Sequence, residues 1–280
     1  MKVSISTDME GVSGVVDRAQ ISPPGIDYER GRKLMTEDIN AAIRGALAAG
    51  ATEVVVSGGH GGNGARNVLE EQLHPEAILI SGSTRKYRLQ SVDSSYDAVI
   101  QIGYHARNGF GGVLDHSITA RDVAEIRING TPIGEIGMNG LAAGWHGVPV
   151  VLVSGCNRVV QETAEWFPWA EGVAVKQAIG RHAALCLHPR RAQALIEEKA
   201  IRALSNLQSM KPLRPEAPYH GEVQFKLTTH AEAAEDAPLV ERADDVTVAY
   251  HTDDIPDLLR TIRMIIRLGG TNQPSMVRGG

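Results

Sequence analysis

Cysteine and aromatic residues are scarce in this chain of 280 residues. Its two cysteines, Cys156 and Cys186, form no CxxC pair, which argues against a zinc site built from thiolates. Two free thiols are the favoured interpretation over a disulfide between them. Because aromatic residues make up only 4% of the chain, aliphatic side chains and alanine must fill its core.

Long apolar runs and blocks of like charge are also missing. No stretch approaches the ~20 apolar residues that a membrane helix needs, so we expect no membrane partner. The start of the chain does not resemble a signal peptide, since acidic residues soon follow a short apolar run, and a cytoplasmic location is the default expectation. The net charge of -5 is spread along the chain, which argues against a nucleic-acid partner.

Several common catalytic signatures are absent. No Gly-x-Gly-x-x-Gly follows the first predicted strand, so dinucleotide binding is not supported. The chain contains no Walker A motif and no His-Glu-x-x-His. It also has no Gly-x-Ser-x-Gly elbow, which weakens a serine hydrolase interpretation.

What the chain does contain is a regular alternation of strand and helix patterns. Continuous Val/Ile runs predict strands that are covered on both faces. Those strands are predicted at residues 2–6, 53–56, 77–80, 98–102, 125–128, 150–153 and 173–175. Helices are predicted at residues 28–49, 139–145, 158–166 and 189–204. Such alternation predicts a three-layer α/β/α sandwich with a mostly parallel sheet.

A change of pattern occurs near residue 206. Three prolines within residues 211–218 cannot continue a helix. Beyond them, residues 222–228 and 245–250 alternate polar and apolar side chains, as half-exposed antiparallel strands do, and residues 255–268 form a closing amphipathic helix. We therefore expect a catalytic α/β domain at 1–205 and a small α+β subdomain at 206–280, with a frayed tail after Thr271.

Two carboxylates follow the first predicted strand at once. Asp8 and Glu10 are two residues apart, a spacing that puts both side chains on one face of an extended segment. Two carboxylates on one face repel each other, and a divalent cation removes that conflict. A turn or a helix cap is the competing interpretation, because Gly11 and Ser13 follow.

Two histidines follow other predicted strands. His60 lies in a glycine-rich loop that would present its side chain, and the alternative is a surface loop with a solvated histidine. His105 follows the strand at 98–102, at the sheet edge where open α/β folds bind ligands, although a structural histidine would fit there too.

Four more residues complete the candidates. Glu135, between apolar neighbours ahead of a helix, is either a first-turn helix partner or a buried ligand. His116, beside Asp115 and Ser117, could act as nucleophile, general base or transition-state donor, or could stand in a plain loop turn. Lys176 could bind a substrate carboxylate or an oxyanion, or lie along the surface. Asn139 is the fourth, and its substrate-binding role is implied only by the family resemblance described below.

The joint placement of these residues favours a metal centre. The five oxygen and nitrogen donors Asp8, Glu10, His60, His105 and Glu135 suit a pair of zinc ions bridged by a carboxylate and a water. Another metal-dependent hydrolase, such as a phosphoesterase or a deacylase, could use the same donors. A non-enzymatic oligomeric binding protein with structural histidines is the third interpretation.

The same residues resemble a known family, the DppA-type zinc-dependent D-aminopeptidases. The resemblance runs in order and spacing from residue 1 to about residue 205. Its matching blocks are Ser6-Thr7-Asp8-Met9-Glu10-Gly11, Tyr28-Glu29-Arg30-Gly31-Arg32, His60-Gly61, Gly103-Tyr104-His105-Ala106, His116-Ser117, Gly134-Glu135-Ile136-Gly137-Met138-Asn139 and Val175-Lys176-Gln177.

The resemblance implies an aminopeptidase with two Zn2+ per chain, which hydrolyses short peptides or amino-acid amides with a free N-terminus. It implies that Asp8 bridges the ions, that Glu10 and His105 hold one, and that His60 and Glu135 hold the other. His116 would be the nucleophile, although its residue type suits a general base or an oxyanion donor equally well. The resemblance also implies a self-compartmentalising homo-oligomeric ring, a decamer.

The chain departs from the family pattern at two positions. Gly58 stands where the family usually has an aspartate, two residues before the loop histidine. Gly155-Cys156-Asn157 stands where a Gly-Asp pair is usual. Neither position is an expected ligand, so the departures bear on the substrate pocket and leave the preference for D-residues open.

Overall fold

The computed structural model describes residues 1–271, which form twelve strands and six α-helices; the predicted frayed tail lies outside them. The strands are β1 Lys2–Thr7, β2 Glu53–Gly58, β3 Ala77–Ile80, β4 Ala98–Tyr104, β5 Val123–Ile128, β6 Thr131–Pro132, β7 Val150–Cys156, β8 Glu171–Gly180, β9 Ala183–Cys186, β10 Tyr219–Phe225, β11 Glu241–Arg242 and β12 Thr247–Thr252. The helices are α1 Tyr28–Ala48, α2 Glu135–Trp145, α3 Asn157–Trp166, α4 Pro189–Ser205, α5 Thr228–Ala234 and α6 Ile255–Gly269. None of these helices is long and apolar enough to cross a lipid bilayer.

The chain divides into two compact units, of which the first contains Met1–Asp115 and Glu135–Arg214. Its sheet has seven strands in the order β3-β2-β1-β4-β7-β8-β9. All neighbouring pairs are parallel except β8 with β9. Every residue of β4 and β7 is buried, as the continuous apolar runs predict. The predicted mostly parallel α/β fold is confirmed.

Helices cover both faces of this sheet. Val3 and Ile5 of β1 and Ile100 and Ile102 of β4 belong to one apolar core, in which α1 and α4 also take part. Successive strand residues point to opposite faces, so Gln101 points away from that core, and its side chain donates to the Ile136 carbonyl of α2 at 3.1 Å. Helices α2 and α3 therefore form the third layer.

The second unit contains residues 116–134 and, within the described part of the chain, residues 215–271. Its antiparallel sheet has the order β11-β12-β10-β5-β6, and α5 and α6 pack together beside it. Helix α6 begins after Asp254, whose carboxylate caps the helix by accepting from the Asp257 amide at 2.6 Å. Two separate stretches of chain build this unit, an arrangement that one linear boundary between residues 205 and 206 does not describe.

Several elements differ in extent from their predictions, among them β8, β10 and α2. Strand β8 runs to Gly180, well past the predicted end at residue 175, because it turns into a hairpin with β9. Strand β10 ends at Phe225, and α5 takes over at Thr228. Helix α2 begins at Glu135, four residues before the predicted start, because Gly137 lies within the helix rather than ahead of it.

Candidate metal centre

The candidate ligands meet at one edge of the parallel sheet. Strands β1, β2 and β4 are neighbours and run in the same direction, so the residues that follow them share an edge. Asp8 and Glu10 come after β1, His60 after β2 and His105 after β4. Glu135, the first residue of α2, completes the set.

A tight turn, rather than an extended strand, brings the first two carboxylates together. β1 ends at Thr7, and residues 9 and 10 lie in a bend and a turn. The Met9 amide donates to Asp8 Oδ1 at 3.0 Å and to Glu10 Oε2 at 3.3 Å, so both carboxylates gather around one backbone N–H. The predicted shared face is present, but the predicted cause, strand alternation, is wrong.

The end of β4 holds this turn in place. The Asp8 amide donates to the Ile102 carbonyl, and the Gly11 amide donates to the Gly103 carbonyl, both at 2.8 Å. Gly103 has φ +75°, and a Cβ there would lie 2.3 Å from the Asp8 carbonyl oxygen. Only glycine fits this close approach, which brings the ligands after β1 against those after β4.

The donor atoms form two clusters that share Asp8. In the first, His60 Nδ1 lies 3.0 Å from Asp8 Oδ1 and 3.2 Å from Glu10 Oε2. In the second, His105 Nε2 lies 3.4 Å from Glu135 Oε1 and 3.8 Å from Asp8 Oδ2. All five residues are buried.

These separations fit zinc. When donor atoms occupy the corners of a tetrahedron with a zinc ion at its centre, each lies ~2.1 Å from the ion and ~3.4 Å from the other donors. Each histidine also has its second ring nitrogen beside a backbone carbonyl: His60 Nε2 lies 2.7 Å from Ile21 O, and His105 Nδ1 lies 3.0 Å from Ala106 O. A ring N–H that donates there fixes the tautomer and leaves the other nitrogen for a metal.

The electrostatics of the site favour bound cations. Burial lowers the pKa of His105, but the carboxylate of Glu135 and its acidic neighbours outweigh burial and raise it to about 10. For His60, burial is likewise outweighed by Glu10 and Asp8, so its pKa lies well above the ordinary value. Three buried carboxylates therefore attract positive charge, which a divalent metal ion can supply in place of the ring protons.

The pairing of ligands differs from the one that the family resemblance implies. His60 approaches Glu10, and His105 approaches Glu135, whereas the resemblance pairs Glu10 with His105 and His60 with Glu135. Glu10 and His105 also offer donor atoms within 4.8 Å of each other. Asp8 is the shared ligand in both pairings, and the assignment of the other four to individual ions stays a prediction.

Lys176 is buried and committed to the backbone. Its ammonium group donates to the carbonyls of Glu10 at 2.5 Å, Val12 at 2.9 Å and Val15 at 2.5 Å. Burial lowers its pKa to about 8. All three N–H bonds are used, so in this structure Lys176 fixes the loop that carries Glu10, and substrate binding by Lys176 stays a prediction.

Asn139 lies in a buried polar network near the centre. Its amide donates to Gln101 Oε1 and to the Tyr104 hydroxyl, each at 2.9 Å, and that hydroxyl lies 2.6 Å from Ser6 Oγ. The network links α2 to β4 and β1 beside the candidate metal ligands. Asn139 is thus close to the predicted site, and its contact with a substrate stays a prediction.

His116 is half-buried and is the first residue of the second unit. The carboxylate of its neighbour Asp115, the last residue of the preceding stretch of the first unit, accepts from Arg181 Nε at 3.0 Å and from the Gly111 amide at 3.1 Å. Those contacts tie Asp115 to its own unit. The catalytic role of His116 stays a prediction.

One residue of the centre was missed by sequence reasoning. Arg88 donates through Nη1 to Asp8 Oδ2 at 2.7 Å and contacts Glu135 Oε2 through Nη2 at 2.6 Å. Burial raises the pKa of Asp8, but Arg88 and His60 together hold it well below its ordinary value. The sequence feature that could have indicated Arg88 is the basic run Arg85-Lys86-Tyr87-Arg88, but such a run is more typical of a solvated loop.

Three comparisons relate this chain to known proteins. The family model described as "D-aminopeptidase" matches residues 1–264. A D-aminopeptidase of Bacillus subtilis (strain 168) is 36% identical over 270 residues, which are 96% of this chain and 97% of the relative. The solved structure of a "Zn-dependent D-aminopeptidase DppA from Bacillus subtilis, a self-compartmentalizing protease" matches with a TM-score of 0.94 and 35% identity, over 99% of this chain and all of that one.

Proposed function

The chain belongs to the D-aminopeptidase family and is a metallo-aminopeptidase, and from this premise we propose that it acts through two zinc ions held by Asp8, Glu10, His60, His105 and Glu135. One observation carries the proposal: five buried donors from four separate segments approach one another at zinc-like spacings, with both histidines oriented by backbone carbonyls. The zinc dependence of the structurally similar protein supports the choice of metal.

The proposed reaction releases the N-terminal residue of a short peptide or an amino-acid amide, with preference for D-residues. When bound, zinc would supply Lewis acidity to the scissile carbonyl and to the attacking water. The protein would contribute the rest. Its buried carboxylates would hold the ions, with Asp8 shared between them, and the burial of all five donors would limit the access of bulk water. His116 is the proposed catalytic residue, as nucleophile, general base or hydrogen-bond donor to the oxyanion.

We also propose that the chain forms a homo-oligomeric ring, a decamer, in the cytoplasm. The self-compartmentalizing relative supports the ring, and two free cysteines suit a reducing compartment. Ten chains of 30.0 kDa would give an assembly of about 300 kDa. Light scattering behind a sizing column measures that mass, and cell fractionation tests the location.

Paired substrates and ligand variants test the enzymatic proposal. We expect hydrolysis of a D-alanyl anilide to exceed that of the L-alanyl anilide, and Asp8→Ala and His105→Ala to lose more than about a hundredfold in rate, since even outer-shell losses around a metal cost 10–100-fold. His188→Ala is the matched control, because His188 is exposed and makes no capping hydrogen bond.

Other outcomes separate the alternatives. Activity confined to aryl phosphates or N-acyl substrates would favour another metal-dependent hydrolase. Full turnover by folded Asp8→Ala after exhaustive chelation would contradict the zinc mechanism. Loss of rate in His116→Ala with unchanged zinc content would place His116 in the chemical step.

A further inference from the structure

Arg88 joins two candidate ligands that come from different parts of the chain. Its guanidinium contacts Asp8 in the loop after β1 and Glu135 at the start of α2, at 2.7 and 2.6 Å. The side chain is only 21% exposed. A guanidinium is a rigid, planar fork, so two such contacts fix the relative positions of the two carboxylates.

These contacts leave donor atoms available to a metal ion. Arg88 uses Oε2 of Glu135, whereas Oε1 is the oxygen that lies 3.4 Å from His105 Nε2. At Asp8 it uses Oδ2, and Oδ1 lies 3.0 Å from His60 Nδ1. A carboxylate oxygen has two lone pairs and can accept a hydrogen bond while it faces a cation. Arg88 can therefore remain in place while a cation binds.

The fold also holds Arg88 itself. Arg85 donates through Nη1 to the Arg88 carbonyl at 3.2 Å and to Ser57 Oγ at 2.6 Å, and through Nη2 to the Gly58 carbonyl. Arg85 thus ties the backbone of Arg88 to the end of β2. The Arg88 guanidinium lies 5.7 Å from the centre of the Tyr104 ring, a cation–π distance.

We propose that Arg88 is a positioning residue, which orients Asp8 and Glu135 for the zinc ion that Glu135 holds. The inference rests on the proposed zinc centre and adds a determinant of its affinity. Two effects of Arg88 oppose each other: its positive charge repels a cation, and its fork orders two ligands. Outer-shell partners that order ligands strengthen metal binding by about 10–100-fold, and the two-point contact leads us to expect that ordering prevails.

Zinc titration of the metal-free, full-length protein against a chromophoric chelator tests this proposal. Wild type should bind two zinc ions. In Arg88→Gln one of the two should bind about 10–100-fold more weakly while the other is retained. Arg88→Lys, which keeps the charge without the fork, should recover only part of the loss. Arg30→Gln, a change at an exposed position of α1, should match wild type.

A second variant covers a failure of Arg88→Gln to fold. Arg85→Gln removes the anchor of Arg88 and leaves the charge of Arg88 in place, so it should weaken the same zinc ion by a smaller factor. Unchanged or tighter zinc binding in the folded Arg88 and Arg85 variants would overturn the inference. If wild type itself binds fewer than two zinc ions, the proposed zinc centre fails instead, whatever Arg88 does.

Discussion

At the scale of a single residue, the buried ammonium group of Lys176 stabilises the loop beside the candidate site. Its three N–H bonds satisfy the carbonyls of Glu10, Val12 and Val15, in a place where water does not reach. The loop that carries Glu10 has no regular secondary structure, although the Val12 carbonyl also accepts from the Val15 amide at 3.2 Å. A buried ammonium group satisfies these loop carbonyls instead.

We predict that Lys176→Met destabilises the protein by at least about 2 kcal/mol, because the buried carbonyls of Glu10 and Val15 lose their donor at roughly 1 kcal/mol or more each, while the Val12 carbonyl keeps the Val15 amide. The zinc affinity should fall as well, since the Glu10 loop loosens. Thermal unfolding and zinc titration measure the two effects. Lys33→Met, at an exposed position of α1, should lie within about 0.5 kcal/mol of wild type. A fully stable Lys176→Met protein would contradict this role.

Asp38 provides a pH-dependent test at the same scale. Burial raises its pKa to about 7, against the opposing effects of the Ser13 amide and Lys176. The folded-state pKa lies above the ordinary value of 3.8, so the stability that this group contributes is complete below pH 3.8 and is lost as the pH rises towards 7.

Asp38→Asn should therefore gain stability relative to wild type by roughly 2 kcal/mol between pH 5 and pH 7. Calorimetric unfolding of metal-free protein across that range measures the difference. Asp253→Asn, at an exposed position, is the control and should show no such trend. A difference between Asp38→Asn and wild type that does not change with pH would contradict a buried, largely protonated Asp38.

Residue types and their positions after strands predicted four of the candidate donors, because parallel strands deliver their ends to one edge, and Glu135 was predicted from its apolar neighbours ahead of a helix. Arg88 could not be predicted in this way. It lies in a long irregular loop, and only the folded chain shows that its side chain turns towards Asp8 and Glu135. The hydrogen bonds from Lys176 to loop carbonyls could not be predicted either, because the position of Lys176 on its strand does not show that these carbonyls surround its ammonium group.

At the scale of elements, the loop after β1 depends on its close contact with β4. A Cβ at Gly11 would lie 1.9 Å from the Tyr104 carbonyl oxygen, so the two segments cannot separate to admit a side chain without moving Asp8 and His105 apart. Gly61 lies in the neighbouring loop of the site, and a Cβ there would meet nothing within 4 Å.

We predict that Gly11→Ala abolishes zinc binding or folding, because the backbone must shift, whereas Gly61→Ala changes stability by less than about 0.5 kcal/mol. Circular dichroism, thermal unfolding and zinc content compare the two variants directly. Equal behaviour of the two alanine variants would show that the β1–β4 contact does not position the ligands.

Periodicity predicted the buried strands and the long helices of the parallel sheet well. Strand β9 was missed because it is an edge strand with three exposed residues out of four, so it has no buried pattern. The inclusion of β5 in the second sheet was also missed. Its partner β10 lies far along the chain, and local patterns do not report such distant pairing.

At the scale of the whole molecule, the candidate metal centre joins segments from residue 8 to residue 135. Such a site exists only in the folded chain, so zinc that binds there must stabilise the folded state. We predict that exhaustive chelation lowers Tm and that added zinc restores it, with a gain of about 2.7 kcal/mol when free zinc is a hundred times Kd. A Tm that does not respond to zinc would contradict the linkage.

The most direct test of the account is the zinc content of the pure wild-type chain, measured by elemental analysis after reconstitution and removal of loosely bound metal. We expect a value close to two zinc ions per chain. A value below about half an ion per chain, obtained on folded protein, would contradict the metal centre on which the proposed function depends.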